Sequence, residues 1–521
     1  LEVYNTSFAL LAVFAIPTLS IPLVYLVGKK SPKAAAILVA LIALVNIILL
    51  LTTIPEVLNS PTHRYIESYN WIPMIESSFT LFIDGISASI ALITLILIIA
   101  ASLFSISYMA GKKNLPVYYA LLCILSIGLV GVFLTSNLLL FFFCWELMLI
   151  PAYFIVGEWG YKDAYKQAFK LFLYTHAGSV FVMLAIGAIY FLTGSSDMFV
   201  ARDKLMEFAL SDAAKWIIIA LTGGFAVKMA VLPVHMWLPD AHSEAPAPMS
   251  ALLSGVIISA GAYAILRLSL GVVFPSVGIE FGTVFLHALA ILGVLSALFG
   301  ALISLVSTDI KRLIAYSSIA HMGYIMFGLS LFPAEAATGV IVLLATATTV
   351  TATVLHIISH ALSKGLLFLV AGGIMHQTNE RDIQKMGGLA SKMPFTAVSS
   401  TVAALSIAGA PPFACFISEL LIFLGASQIM YIDQFYIIPT VLMLVATVIS
   451  LAYMLRFIKS IFLGQPKADT TELVAESSAA EKNKGISNWI KLSFALLVLF
   501  VILVGIYPTF FLDLISTTIL R

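Results

Sequence analysis

No feature limits this chain more than its repeated runs of about twenty apolar residues, the length a helix needs to cross the hydrocarbon of a bilayer. Such runs fall near 8–28, 34–54, 80–109, 116–134, 137–157, 166–193, 213–232, 248–270, 281–305, 309–330, 334–376, 395–425, 432–462 and 488–514, fourteen in all. Backbone polar groups have no water to bond in that medium, so each run is expected to be a helix and the fold class an all-α polytopic membrane protein. The chain's 61% hydrophobic and 10% charged residues and its mean hydropathy of +1.07 agree. Ordinary soluble domains carry roughly a quarter charged residues.

Lysine and arginine test the count, because they gather in the loops on the cytoplasmic side. Here they follow the odd-numbered spans: Lys29, Lys30 and Lys33 the first, Lys112 and Lys113 the third, Lys162 and Lys166 the fifth, Lys311 and Arg312 the ninth, Arg381, Lys385 and Lys392 the eleventh, and Lys459 to Lys484 the thirteenth. Both termini then lie outside. The first run lacks a small-residue cleavage site and reads as a permanent span. The run 337–375 is too long for one straight helix, since its residues at ~1.5 Å each would cover ~58 Å of a ~30 Å core. Two crossings are expected between Arg312 and Arg381, the second kinked or extended by an outer half-helix near ATATTVTATV. The polar connection 464–487 reads as a flexible cytoplasmic loop.

Several function classes drop out. A formal net charge of +1 gives no nucleic acid anything to bind, and there is no Walker-type phosphate loop. Cys123, Cys144 and Cys415 stand singly in apolar segments, so no iron–sulfur cluster or CxxC pair can be assembled. No cofactor is expected in this chain, and any electrons travel in another subunit.

The chemistry lies where charge interrupts the apolar runs. Glu146, Lys228, Lys364 and Glu419 are deep in spans, with His176, His321, His356 and His360. Ionisable groups at membrane depth are rare unless they line an ion path, and chains of them make proton relays. The seventh span breaks after Lys228 at Pro233, Pro239, Pro246 and Pro248, and the twelfth at Pro411 and Pro412. Broken helices beside charges build many transporter sites. The two breaks are five spans apart, an odd number, which predicts inverted five-helix repeats, spans four to eight and nine to thirteen, with Lys228 and Glu419 in comparable places. The expected organisation is 1–115 (helices one to three), 116–272 and 280–462 (the repeats), 463–487 (loop) and 488–521 (last helix). His356, His360 and Lys364 recur every fourth residue, on one helix face. A metal site there, or at His235, Asp240, His242 and Glu244, is the weaker reading: the HExxH glutamate is absent and a lysine cation would repel a metal. Arg267, Asp309, Lys311 and Arg312 read as interfacial anchors; Asp84 and Glu158 are ambiguous.

LLFFFCWELMLIPAYFIVGEWG, VLPVHMWLPDAHSEAPAPMSALLSG, STDIKRLIAYSSIAHMGYIMFG and HALSKGLLFLVAGGIMH with RDIQKMGGL resemble, in order, the antiporter-like membrane-arm subunits of respiratory complex I, archaeal membrane-bound hydrogenase-type complexes and Mrp antiporters. The resemblance covers about residues 80–460. It implies fourteen helices with broken helices seven and twelve. It also implies that Glu146 pairs with Lys228, that Lys364 with His321, His356 and His360 forms the central relay, and that Glu419 controls exit to the outside. Where many relatives carry a helix-eight lysine, this chain has Ser259, which cannot carry the charge. A hydrated cavity bridging Lys228 and Lys364, with Ser259 and His321 holding waters, is the expected substitute. The lack of a long lateral helix after the last span favours the shorter complex I subunits. The implied partners are other membrane-arm subunits, a cytoplasmic redox module and lipid, in the cytoplasmic membrane of a prokaryote. Three readings stay open: a proton-translocating subunit of a redox-driven complex, a component of a Mrp-type Na⁺/H⁺ antiporter, and a structural subunit with a degenerate path.

Overall fold

Apolar sequence becomes helix almost throughout. The computed structural model describes residues 7–207, 212–332, 340–463, 465 and 486–519, apart from the side chains of 340–346 and 519. Most of the loop expected at 464–487 lies outside the described residues, as do residues 334–339 of the eleventh run. In chain order come α1 (Ala9–Lys30), α2 (Pro32–Asn59), β1 (Tyr65–Ile72), β2 (Ser77–Ile83), α3 (Gly85–Tyr108), α4 (Leu115–Leu134), α5 (Leu138–Leu147), α6 (Leu149–Trp159), α7 (Ala164–Thr193), α8 (Met198–Glu207), α9 (Asp212–Met229) and α10 (Leu238–Glu244). They are followed by α11 (Ala247–Ser276), α12 (Ile279–Val306), α13 (Ile310–Ser330), α14 (Val340–Thr378), α15 (Pro394–Ile407), α16 (Ala414–Ile429), α17 (Gln434–Leu463), α18 (Asn488–Ile506) and α19 (Thr509–Ile519).

Among the described residues twelve helices are long and apolar enough to cross a membrane. The two expected spans outside that set are the broken ones. α9 carries Asp212, Lys215 and Lys228 within its 18 residues, and the twelfth run is split into helices of 14 and 16 residues.

Both broken helices end in the same way. After α9, Ala230 takes φ +58°, its N–H bonds the Val227 carbonyl (3.2 Å) and the Val231 N–H reaches the Ala226 carbonyl (3.4 Å). After α15, Gly409 takes φ +66°, with the corresponding bonds to Ser406 (3.0 Å) and from Ala410 to Leu405 (3.0 Å). This is the Schellman pattern, which satisfies carbonyls that a helix end would otherwise orphan. The Trp237 indole closes another, donating to the Val227 carbonyl at 2.9 Å. The expectation that Lys228 and Glu419 hold comparable places is corrected here. Lys228 precedes its break and Glu419 follows its own, in α16.

The eleventh run departs from one of its two expected forms, the extra outer half-helix. α14 is one continuous helix of 39 residues and ATATTVTATV is helical, with no detached half-helix. No proline or glycine occurs between Val340 and Lys364 to interrupt it, and Thr353 turns its hydroxyl back onto the Thr349 carbonyl at 2.7 Å. The all-α expectation missed one hairpin, β1–β2, in the polar stretch before α3. The last run divides at Pro508 into α18 and α19.

α12 and α13 touch backbone to backbone: a Cβ on Gly323 would lie 2.5 Å from both the Ala297 nitrogen and the Gly293 oxygen. Small residues allow such approach in membrane helices, and this pair fixes the position of His321. Three groups read as anchors or ambiguous, Asp84, Arg267 and Lys311, are largely buried. Asp84 caps α3 through a capping box with Ser87 and, fully buried, pairs with Arg267. Asp309 caps α13, and Lys311 is buried behind it. The ends of these helices needed internal partners more than an interface.

Candidate functional site

Lys228, 1% exposed in the last turn of α9, is the first charge in the site. Its Nζ donates to the Trp145 carbonyl at 2.9 Å and lies 3.7 Å from the centroid of the Trp145 ring. That indole is held by its own donation to Ser179 (3.1 Å). An ammonium over an indole face is attracted by the ring quadrupole, more so when desolvated. Glu146 is the next residue of α5, turned ~100° from its neighbour. Its Oε2 lies 3.1 Å from His176 Nδ1 on α7, and its Oε1 is buried without a partner. The direct Glu146–Lys228 contact implied by the resemblance is therefore absent. The carboxylate acts on the lysine through space, while its bonded partner is His176.

A second cluster is centred on α14, which presents His356, His360 and Lys364 on one face; all three are fully buried. Lys364 Nζ bonds the Ser317 hydroxyl and, at 3.3 Å, the Ile314 carbonyl of α13. His360 has no partner on either ring nitrogen, and its ring lies 5.8 Å from that of His321. His321 Nδ1 is 3.2 Å from His356 Nε2, and His356 Nδ1 is 2.9 Å from Ser418 Oγ. Ser418 is the neighbour of Glu419, 5% exposed on α16. Glu419 fits because Gly409 lacks a side chain: a Cβ there would meet Glu419 Oε2 at 2.5 Å. The predicted set Lys364, His360, His321, His356 and Glu419 is thus brought together as one buried row, and Glu146 with Lys228 forms a separate pair of sites.

His321, His356 and Glu419 offer ligand atoms within 4.8 Å of one another, the one such group found among the described residues. Three of the four ring nitrogens already bond each other or Ser418, His321 Nε2 alone having no partner, and Lys364 is the foremost charge acting on His321. A cation at that position opposes a dication, so the row suits proton exchange better than metal binding. In the other candidate metal group the carboxylates are already paired with cations. Asp240 pairs with Lys170 (2.7 Å) and Arg312 (2.9 Å), Glu244 pairs with Arg381 (3.5 Å), and the rings of His235 and His242 lie against Phe299 and Phe368.

Two residues of this neighbourhood had no part in the expected relay. His242 is fully buried with neither ring nitrogen bonded, and the charges acting on it are Lys311 and Lys364. Lys311, also fully buried, bonds the Ala245 carbonyl. The signal available was the break itself, which pulls polar residues into the core. Ser259 donates to the Gly255 carbonyl of its own helix at 2.9 Å. It borders a cavity with about 10 Å³ open to the centre of a water, lined otherwise by Thr94 and apolar groups such as Ile357 and Ala361. That is room for about one molecule, far less than the expected bridge from Lys228 to Lys364.

Residues 135–450 match the family described as "NADH:quinone oxidoreductase/Mrp antiporter, TM". The chain is 32% identical over 464 residues to NADH-quinone oxidoreductase subunit M of Rickettsia conorii, covering 86% of this chain and 87% of that one. It is also 32% identical over 410 residues to NAD(P)H-quinone oxidoreductase chain 4 3 of Trichormus variabilis, covering 78% and 72%. Its fold is similar to a chain of the membrane-bound sulfane sulfur reductase, an archaeal respiratory membrane complex (TM-score 0.80, 27% identity, 96% of this chain and 76% of that). Chains of respiratory complex I from Thermus thermophilus (TM-score 0.80, 22% identity, 97% of both) and of the Mrp complex from Dietzia sp. (TM-score 0.81, 22% identity, 98% and 52%) share the fold. The family match spans more than half the chain, and with these relatives it makes this multi-span integral membrane protein a member of the NADH:quinone oxidoreductase/Mrp antiporter transmembrane family.

Proposed function

We propose that the chain is an ion-translocating, non-redox membrane subunit of a redox-driven respiratory complex, and that the ion is the proton. The observation that carries this reading is the buried row from Lys364 through His360, His321 and His356 to Glu419: three histidines in hydrogen-bond or ring contact, a Glu419 oxygen within 4.8 Å of two of them, and Lys364 one turn along the same helix face from His360. Imidazoles and ammonium groups exchange protons, whereas Na⁺ wants several oxygen ligands, and only Glu419 of the row offers carboxylate oxygens. Glu146 and Lys228 form the input. A change in charge or conformation from a partner shifts the proton affinity of Lys228, and the proton moves along the row to Glu419. The partners are neighbouring membrane-arm subunits and a redox module, as in the complexes that contain the relatives; redox cofactors belong to that module. The lysines and arginines of alternate loops support a reading with both termini outside, and the breaks after α9 and α15 support fourteen spans in two inverted repeats.

Glu146→Ala and Lys228→Ala are each expected to remove most proton uptake while the complex still assembles, since each leaves the other charge without its counterpart in a low dielectric. Uptake by vesicles carrying the assembled mutant complexes is the measurement. Parent-level uptake in both variants would remove the relay. Pumping that requires Na⁺ and survives a protonophore would favour the antiporter-type ion instead.

A further inference from the structure

We propose that His176 is a proton-carrying residue of the input site, passing protons to Glu146; this rests on the relay reading above. The carboxylate of Glu146 has one bonded side-chain partner, and it is this imidazole, Nδ1 to Oε2 at 3.1 Å. Lys228 is engaged elsewhere, on the Trp145 carbonyl and ring. The His176 ring is held by stacking on Phe172, one turn earlier on α7, with centroids 5.3 Å apart and planes 8° from parallel. That stacking keeps Nδ1 aimed at the carboxylate and turns Nε2 the other way.

Nε2 faces outward. The His176 side chain is 51% exposed and Glu146 only 21%, so the imidazole stands between the carboxylate and the outer face of the helix. Its exposed neighbours on α7 are apolar: Phe169, Leu173, Val180 and Phe181. A half-exposed polar ring in the middle of a membrane-spanning helix is costly against lipid and is characteristic of an ion path or a covered protein face. The charged groups facing it from the packed elements are Glu146 on α5, Lys228 on α9, and, toward the start of α7, Asp240 of α10 in its pair with Lys170.

The step balances without a co-reactant. A proton binds Nε2 from the outer face, the proton on Nδ1 moves to Oε2 of Glu146, and the ring is left neutral with its proton on Nε2. The carboxylate becomes a carboxylic acid, one positive charge has moved inward, and the electrostatic hold on Lys228 weakens. The ring is reset when it turns over, carrying its single proton back to the Glu146 side while no further proton crosses.

His176→Gln separates this role from a structural one, because glutamine can still donate a hydrogen bond to Glu146 but cannot pass a proton through itself. In the assembled complex in proteoliposomes, His176→Gln should slow proton translocation ~10-fold or more, the lower bound being modest for a lost acid–base group, and should change the pH profile of the rate. Parent rate and profile in His176→Gln, with translocation lost in Glu146→Gln, would overturn the role of His176 and leave the relay standing; parent rates in both would remove the relay itself. If His176→Gln does not assemble, difference infrared spectra of the parent complex decide. The carboxylic-acid band assigned to Glu146 and the imidazole ring modes should change together as pH is stepped, and changes at unrelated pH values would overturn the proposal.

Discussion

Glu67 shows how much one residue can organise without any mark in the sequence. It lies in the polar stretch before α3, yet it is fully buried, and its two oxygens accept from the backbone N–H groups of Leu10 and Leu11 at 2.9 Å and from the hydroxyls of Tyr65 (2.8 Å) and Tyr69 (2.9 Å). A carboxylate from the hairpin thus caps the first turn of α1, where the helix dipole favours negative charge. Glu67→Ala strands four donors and should cost about 3 kcal/mol or more, seen as earlier thermal loss of the α1–hairpin contact by hydrogen exchange; unchanged protection of Leu10 and Leu11 would show that water replaces the carboxylate freely. Both tyrosines are raised above the usual phenol range, chiefly by burial and then by Glu67. A raised phenol favours the neutral form in the fold, so this stabilisation is complete below the unfolded pKa of ~10 and fades as pH climbs toward the folded values. Tyr65→Phe and Tyr69→Phe should each delete a late step from the alkaline ultraviolet titration; loss of an early, ordinary step instead would contradict the burial. Glu146, Lys228, Lys364 and Glu419 were legible because charge in an apolar run is conspicuous. Glu67 was not, and Lys311 and His242 were read only as an anchor and a candidate metal ligand, because their neighbours in sequence are largely polar and only folding buries them.

Among the elements, the two breaks carry the clearest link between sequence and site. Proline marked both in the sequence, but the left-handed residues that end the half-helices could not be read, since Ala230 gives no sign of φ +58°. An alanine there costs roughly 1–2 kcal/mol relative to a residue free of the Cβ clash, so Ala230→Gly should stabilise the fold by about 1 kcal/mol. Gly409→Ala should act in the opposite sense and go further, because the added methyl would strain φ +66° and also collide with Glu419 Oε2. Thermal unfolding of the two variants in the same detergent checks the stability signs, and proton uptake checks whether displacing Glu419 slows exit; a Gly409→Ala variant with parent stability and uptake would mean that the carboxylate has free room to move. The extra half-helix expected beside α14 was misread for a related reason. Length alone suggested a kink or an added half-helix, but no proline or glycine between Val340 and Lys364 detaches one.

At the scale of the whole molecule, the proposed path requires the Glu146 and Lys228 sites and the row along α14 to move together, and the basic-loop end shows how their helices are joined. Arg381, just beyond α14, donates to the Ser243 carbonyl at 2.7 Å, lies 3.5 Å from Glu244 and 3.0 Å from Asp309, and stacks its guanidinium 5.3 Å from the Tyr161 ring. Its planar fork suits this many partners in a way an ammonium would not. Asp240 makes the companion link, from α10 to Lys170 and to Arg312 of α13. Between them these residues tie the break segment of the first half to the start of α13 and the loop after α14, with His242 and Lys311 buried directly beneath. Glu380, next to Arg381, belongs to the same loop. Burial alone would raise its carboxyl, but the N–H groups of Asp382 and Arg381 and the charge of Lys385 outweigh that and hold it below the usual carboxylate range. The loop is therefore strengthened above the unfolded carboxylate pKa and weakened as pH falls through the folded value. Arg381→Gln keeps one donor and loses the charge, so the join should lose ~1–3 kcal/mol, discounted toward the lower end because the side chain is 31% exposed. The expected result is faster hydrogen exchange in Leu238–Glu244 and in the first turn of α13, with proton uptake falling while Lys228 and Lys364 remain in place. Added salt should narrow the difference between variant and parent, since screening weakens the join in the parent as well. Exchange in α10 equal to the parent's at low salt would show that packing, and not this arginine, holds the halves together.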